Sequence, residues 1–225
     1  MRATFALTRY QLAMLLRSQR WLAPLLLYAG LLAVGLGAGR PLLDSLGLAA
    51  AVLLPATAWL VRICVTAEPD AARHCAAAVT GAARAHLAAV AAGVVTALGF
   101  GLPAVALVAF VGDPHSTDGR RAVPVAPAVA AGLCGVLACV LVGAAVGMLC
   151  NRPLIRSRGI AVAATSLLTL PALALGASPA NAAVGELSRA SAEGAVPLPW
   201  VPVLGAVAVA ALAAAVACAV AGRRP

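Results

Sequence analysis

Residues 122–151 read AVPVAPAVAAGLCGVLACVLVGAAVGMLCN, a run of 30 residues without one charged side chain. A helix needs about 20 apolar residues to cross the hydrocarbon core of a bilayer, so this run is more than long enough. A helix on the surface of a soluble protein carries a polar face, and this run has none. It therefore predicts a membrane-spanning helix.

Five further uncharged runs lie elsewhere in the chain, at residues 21–39, 45–61, 85–112, 159–185 and 194–222. The whole sequence is 63% hydrophobic, and its mean hydropathy is +1.02. Its 225 residues suit one membrane domain without a globular appendage. The sequence predicts an all-α integral membrane protein with a lead segment, residues 1–20, and a six-span domain, residues 21–222. The expected spans are about 21–39, 45–65, 87–111, 126–150, 159–177 and 199–221.

The basic residues indicate the orientation of these spans. All 16 are arginines, and there is no lysine. With a cytoplasmic N-terminus, 12 arginines fall on the cytoplasmic side and four on the external side, namely Arg40, Arg120, Arg121 and Arg189. Cytoplasmic loops of membrane proteins are enriched in basic residues, so both termini are expected to be cytoplasmic. This bias also explains the net charge of +9 without a nucleic-acid partner. The arginine-rich, lysine-free composition favours a bacterial cell membrane.

The lead segment, residues 1–20, mixes apolar and basic side chains. Phe5, Leu12, Leu15 and Leu16 fall within an arc of roughly 100° on a helical wheel, and the arginines lie elsewhere. This pattern predicts an interfacial helix on the cytoplasmic leaflet. The alternative is a helical extension of the first span that carries orienting arginines.

Small residues recur at four-residue spacing at Gly35/Gly39 and Gly143/Gly147. Such pairs let two membrane helices approach closely, so we expect both pairs to be packing sites.

The sequence lacks features that carriers, enzymes and metal-binding proteins usually have. Their interiors contain no acidic or basic side chain, which a proton- or sodium-driven carrier generally needs. The chain has no HExxH, GxSxG or GxxxxGK[ST] motif, so no catalytic role is expected. Its six cysteines show no metal-ligand spacing, and most lie in spans as small apolar side chains. No metal or cofactor is therefore expected on this chain.

The longest internal loop reads TAEPDAARHCAAAVTGAAR over residues 66–84. Pro69 suits a helix start, and Glu68 and Asp70 complement the positive end of the helix dipole. The pattern predicts a short cytoplasmic helix on a tight hairpin between spans two and three, followed by a Thr-Gly break before Arg84. The alternative is an ordinary loop that only sets the orientation of the spans.

The chain resembles the membrane subunits of ABC-2 type transporters over its whole length. The shared features are a cytoplasmic lead helix, six spans, internal termini and an external segment before the last span, which opens with a proline-rich entry (residues 197–202). In that family the loop after span two begins with an acid, forms a coupling helix and returns through a small and basic turn. Glu68 matches the acid, residues 71–79 match the helix, and residues 80–84 match the return. The usual Gly-Thr-Leu/Glu core of the coupling segment is replaced here by Asp70-Ala71-Ala72-Arg73.

The resemblance implies an exporter subunit that neither binds nor hydrolyses ATP. A separate ATPase subunit would dock on the internal loop, with Glu68, Asp70, Arg73 and Arg84 as the coupling residues. A second permease chain, identical or homologous, would complete the pathway in the lipid membrane, and the external helical segment would cap its outer side. The uncharged spans favour a hydrophobic or amphipathic cargo. The alternative function is a six-span accessory or scaffold protein without transport.

Overall fold

A computed structural model of the protein describes residues 2–37, 39–155 and 157–223, without the side chains of Arg2, Ala3, Asp70, Arg158 and Arg223. Over these ranges the chain forms α-helices and no β-strand, which confirms the predicted all-helical class. The helices are α1 (Arg2–Ser18), α2 (Leu22–Gly35), α3 (Leu42–Ala67), α4 (Asp70–Thr80), α5 (Ala82–Val111), α6 (Val125–Leu149), α7 (Arg158–Ala174), α8 (Pro179–Glu193) and α9 (Trp200–Arg223).

Four of these helices, α3, α5, α6 and α9, are long and apolar enough to cross a membrane. Each has at least 23 apolar-rich residues, or about 35 Å at 1.5 Å per residue, against a hydrocarbon core of about 30 Å. Helices α7 and α8 pass the same test only as a pair, bent by 42° at the break between them. Helix α2 has 14 residues and is about 21 Å long, so it is shorter than a full span. The structure therefore supports four or five spans among the described residues, and the count of six remains a prediction.

Helix α3 is the centre of the bundle. Its leucines, including Leu46, Leu53, Leu54 and Leu60, are fully buried because α2, α5, α6 and α8 all pack around it. The closest neighbour is α6, which presents a row of glycines to α3. A Cβ added to Gly143 would lie 2.5 Å from the Leu54 carbonyl oxygen. The backbones of the two helices therefore touch without side chains between them.

The Gly143/Gly147 pair is confirmed as a packing site, because a Cβ on Gly147 would lie 2.8 Å from Cβ of Val61 in α3. The expectation for Gly35/Gly39 was only half right. Gly35 approaches the Leu48 side chain, but Gly39 lies beyond the end of α2 with no heavy atom near its would-be Cβ. Its φ of +78° shows that a turn requires this glycine.

The lead helix α1 is separate from α2. The chain turns at Gln19, which has a φ of 54°, and Leu22 N–H donates to the Gln19 carbonyl at 3.1 Å. The interpretation of residues 1–20 as a continuous extension of the first span is therefore wrong. Helix α1 packs on α5 and α3 through Leu15, which is buried, whereas Phe5 and Leu16 are exposed. These two side chains are available to the lipid interface that the sequence predicts.

The segment between α7 and α9 forms α8, and this helix does more than cap the bundle. It packs along α3 and α6 and buries one face, formed by Ala180, Ala183, Leu187, Ala190 and Ser191. The loop before α6 ties this helix to α3, because Thr117 Oγ1 lies 3.0 Å from Ser191 Oγ and donates to Asp44 at 3.3 Å. Helix α8 is thus an integral part of the bundle.

Candidate functional site

The candidate site is built around α4, the 11-residue helix between α3 and α5. Pro69 precedes the helix with a φ of −58°, which suits a helix start, and Arg73 N–H donates to the Pro69 carbonyl at 3.0 Å. Gly81 ends the helix with a φ of +89°, a conformation that glycine adopts without strain, and α5 begins at the next residue. Two short joints therefore fix α4 to two long apolar helices.

One face of α4 is uncovered. The exposed positions follow helical spacing, at Ala71, His74, Cys75, Ala78 and Val79, and Val79 is 84% exposed. The side chains on this face are small or apolar, apart from His74. We call these five residues the outward face of α4. Apart from His74, which also lines the cleft described below, this is an apolar strip about 12 Å long, which suits contact with another protein better than contact with water.

The joint between α3 and α4 is held by the lead helix. Gln11 of α1 is 5% exposed, and its Nε2 donates to Oε2 of Glu68 at 3.0 Å. The two residues are 57 positions apart in the sequence, so this bond closes a large loop of the chain. It fixes the acid that opens the hairpin against α1.

Behind α4 lies a cleft of about 420 Å³ that is open to the surface. It lies where α1, the end of α3, α4, the start of α5, the turn after α6 and the end of α9 converge. Its polar wall consists of Gln11, Glu68, Arg73, His74, His86 and Arg152. Two of these residues each carry a buried atom without a hydrogen-bond partner, namely Oε1 of Gln11 and Nε2 of His86. Such atoms are uncommon in folded proteins because they lose their bonds to water without replacement.

A second polar cluster fixes the turn after α6. Asn151 is 1% exposed; its Nδ2 donates to the Gly147 carbonyl at 2.8 Å, and its Oδ1 accepts from Arg62 Nη1 at 3.3 Å. Arg62 lies in the last two turns of α3, so this contact links the ends of α3 and α6 beside the cleft. No group of three His, Cys, Asp or Glu side chains suited to a metal ion occurs among residues 2–37, 39–155 and 157–223.

The structure brings together two of the four residues predicted for coupling. Glu68 and Arg73 share the cleft wall, whereas Arg84 is exposed on the first turn of α5 outside that wall. The backbone of Asp70 begins α4, and its side chain lies outside the described part of the chain.

Sequence reasoning missed Gln11, His86 and Arg152. Gln11 had a usable signal, because it precedes Leu15 by four residues and so shares the face of α1 that packs on the bundle. A polar side chain on such a face needs a partner. His86 and Arg152 lie on separate elements and meet the others only through the tertiary fold.

No known protein family matches this sequence, and neither a curated protein nor a solved structure is significantly similar to it. The function must therefore be inferred from the geometry of the chain itself.

Proposed function

We propose that this chain is the membrane subunit of an ATP-driven exporter of the ABC-2 type, located in a bacterial cell membrane. The observation that carries the proposal is α4, a helix with an uncovered apolar face that is fixed by short joints between two long apolar helices. Such a helix is placed to transmit a push from a docked ATPase subunit into the membrane. The family resemblance of residues 68–84 points to the same role.

The force has two paths from α4 into the bundle. The joint at Glu68 and Pro69 leads into α3, and Gly81 leads into α5. Since α3 is the most buried of the four long apolar helices, a movement of its end is passed on to α5, α6 and α8. The bond between Gln11 and Glu68 makes the lead helix move with this joint.

In this proposal the chain crosses the membrane six times, with both termini in the cytoplasm. Helix α2 becomes the first span with the help of flanking residues and local thinning of the bilayer, and the pair α7–α8 becomes the fifth. The 12-to-4 distribution of arginines supports this orientation.

The cargo is hydrophobic or amphipathic, and a second permease chain completes its pathway. In the described parts of α3 and α5 the charged residues lie near the ends, at Asp44, Arg62 and Arg84, and α6 has none. Helices with this composition offer no polar lining for a hydrophilic solute. A lipid, an apolar natural product or a modified peptide fits such a pathway.

Charges on the outward face of α4 should prevent ATPase docking. We expect the double variant Cys75→Asp/Val79→Asp to lose at least about 90% of the ATPase subunit that co-purifies with the wild type, because two carboxylates would be desolvated in an apolar contact. The measurement is affinity purification from native membranes followed by mass spectrometry.

The matched control is Ser188→Asp, which adds a carboxylate on the exposed face of α8 and should leave co-purification unchanged. Absence of any ATPase subunit from the wild-type sample would refute the proposal and favour the accessory or scaffold function. Equal ATPase recovery with the double variant would refute the docking role of α4.

Cysteine labelling tests the orientation. Cys75 is the exposed cysteine of the described chain, whereas the other five are buried or partly buried. We expect a membrane-impermeant maleimide to label Cys75 only after the cells are permeabilised. In a Cys75→Ser background, Ser188→Cys should be labelled in intact cells, since α8 is external in the proposed topology. Labelling of Cys75 in intact cells would invert the topology and remove the coupling role.

A further inference from the structure

The cleft behind α4 has the chemistry of a ligand site. It joins two guanidinium groups, from Arg73 and Arg152, and one carboxylate, from Glu68, within a space of about 420 Å³. Several helices and a turn supply its wall, so the site exists only in the folded chain.

The unsatisfied oxygen Oε1 of Gln11 indicates that the ligand carries a hydrogen-bond donor. The amide nitrogen of Gln11 donates a hydrogen bond to Glu68, and the amide oxygen Oε1 is an acceptor that receives no hydrogen bond. A phosphate or carboxylate brings no hydrogen to such an atom at neutral pH, whereas an ammonium group brings three. Oε1 is shielded from water, so the amide must turn toward the cleft for a ligand to reach it.

Arg73 and Arg152 indicate that the ligand also carries a phosphate group. Guanidinium groups bind phosphate through paired N–H donors, more tightly than they bind neutral acceptors. Arg73 lies on α4 and Arg152 on the turn after α6, so a phosphate between them would bridge two elements that the backbone does not join directly. His86, whose Nε2 is also without a partner, lies in the same wall.

We propose that this cleft binds a phosphate ester that carries a primary ammonium group, with the phosphate at Arg73 and Arg152 and the ammonium at Glu68 and Gln11. This chemistry belongs to the headgroup of phosphatidylethanolamine and also to free phosphoethanolamine. The site lies beside the lead helix, on which Phe5 and Leu16 are exposed. The inference does not depend on ATP-driven transport.

The test uses the purified full-length chain in detergent and measures its thermal stability with added lipids. We expect phosphatidylethanolamine to raise Tm by several degrees, because a ligand that binds only the folded state stabilises it. Phosphatidylcholine has the same phosphate but no N–H donor and should raise Tm by less than half as much. Free phosphoethanolamine at millimolar concentration distinguishes the two sources, since a shift of equal size would assign the site to the soluble compound.

Two variants test whether the rise in Tm with phosphatidylethanolamine comes from binding in this cleft. Glu68→Gln keeps a side chain that can pair with Gln11 but removes the charge, and we expect it to reduce the phosphatidylethanolamine shift to the phosphatidylcholine value. Arg189→Gln, on the external helix α8, should retain the full difference between the two lipids. Equal shifts from both lipids in the wild-type chain would overturn the proposal, and so would an unchanged preference in Glu68→Gln. The wild-type comparison decides the question even where a variant does not fold.

Discussion

Gly143→Ala should lower the stability of the bundle by about 1–3 kcal/mol, although it adds a single methyl group. The new Cβ would lie 2.5 Å from the Leu54 carbonyl oxygen and 3.0 Å from Cβ of Thr57, both on α3. One of these neighbours is backbone and cannot rotate away, so α3 and α6 must separate. We expect Tm in detergent to fall by several degrees, measured by the loss of a monodisperse peak after heating.

The matched control is Gly99→Ala on α5, where no heavy atom lies within 4 Å of the added methyl group. This change should be neutral or slightly stabilising, because alanine is the better helix residue. Equal losses from both substitutions would mean that α3 and α6 do not touch at Gly143. Their contact also matters for the proposed function, because in that proposal α3 is one of the two helices that receive a push from α4.

The sequence was sufficient for the fold class and for most of the long helices. A long uncharged run such as residues 122–151 must form a helix in a membrane, since its backbone has no water with which to form hydrogen bonds. The helix over residues 71–79 was also predictable, because Pro69 and Gly81 mark its ends locally. These features depend on short-range chemistry alone.

The length of α2 and the position of α8 were not predictable in the same way. The run 21–39 contains three glycines near its end, at Gly35, Gly37 and Gly39, and the helix stops at the first of them. Composition marks a run as apolar but does not say where a helix ends within it. The burial of α8 depends on Gly47 of α3 and Gly135 of α6, which leave room for the side chain of Leu187.

The candidate site was predicted only in part, because some of its residues are close in the sequence and others meet only in the folded chain. Glu68 and Arg73 lie on one local hairpin, and their proximity follows from the loop itself. The contribution of Gln11 requires α1 to fold back across the end of α3, a contact over 57 residues. One sequence without its tertiary contacts does not encode that pairing in any local pattern.

Leu187→Asp should strongly disrupt the packing of α8 on the bundle. Leu187 is 1% exposed, and a Cβ added to Gly135 of α6 would lie 2.9 Å from its Cδ1. An aspartate there is either a buried charge without a partner or a buried acid in an apolar contact. We expect a loss of about 3 kcal/mol or more and the release of α8 from α3 and α6. The release is measured by maleimide labelling of Ala183→Cys, which is protected in the native bundle because Ala183 is buried.

Ser188→Asp provides the control, because the neighbouring side chain points to the exposed face of the same helix. It should keep Tm within about 1 °C of the wild type and leave Ala183→Cys protected, since an exposed charge is solvated. If Leu187→Asp and Ser188→Asp behave alike, α8 lies outside the bundle and acts only as a cap. If only Leu187→Asp exposes position 183, α8 is held in the bundle by its contact with α3 and α6.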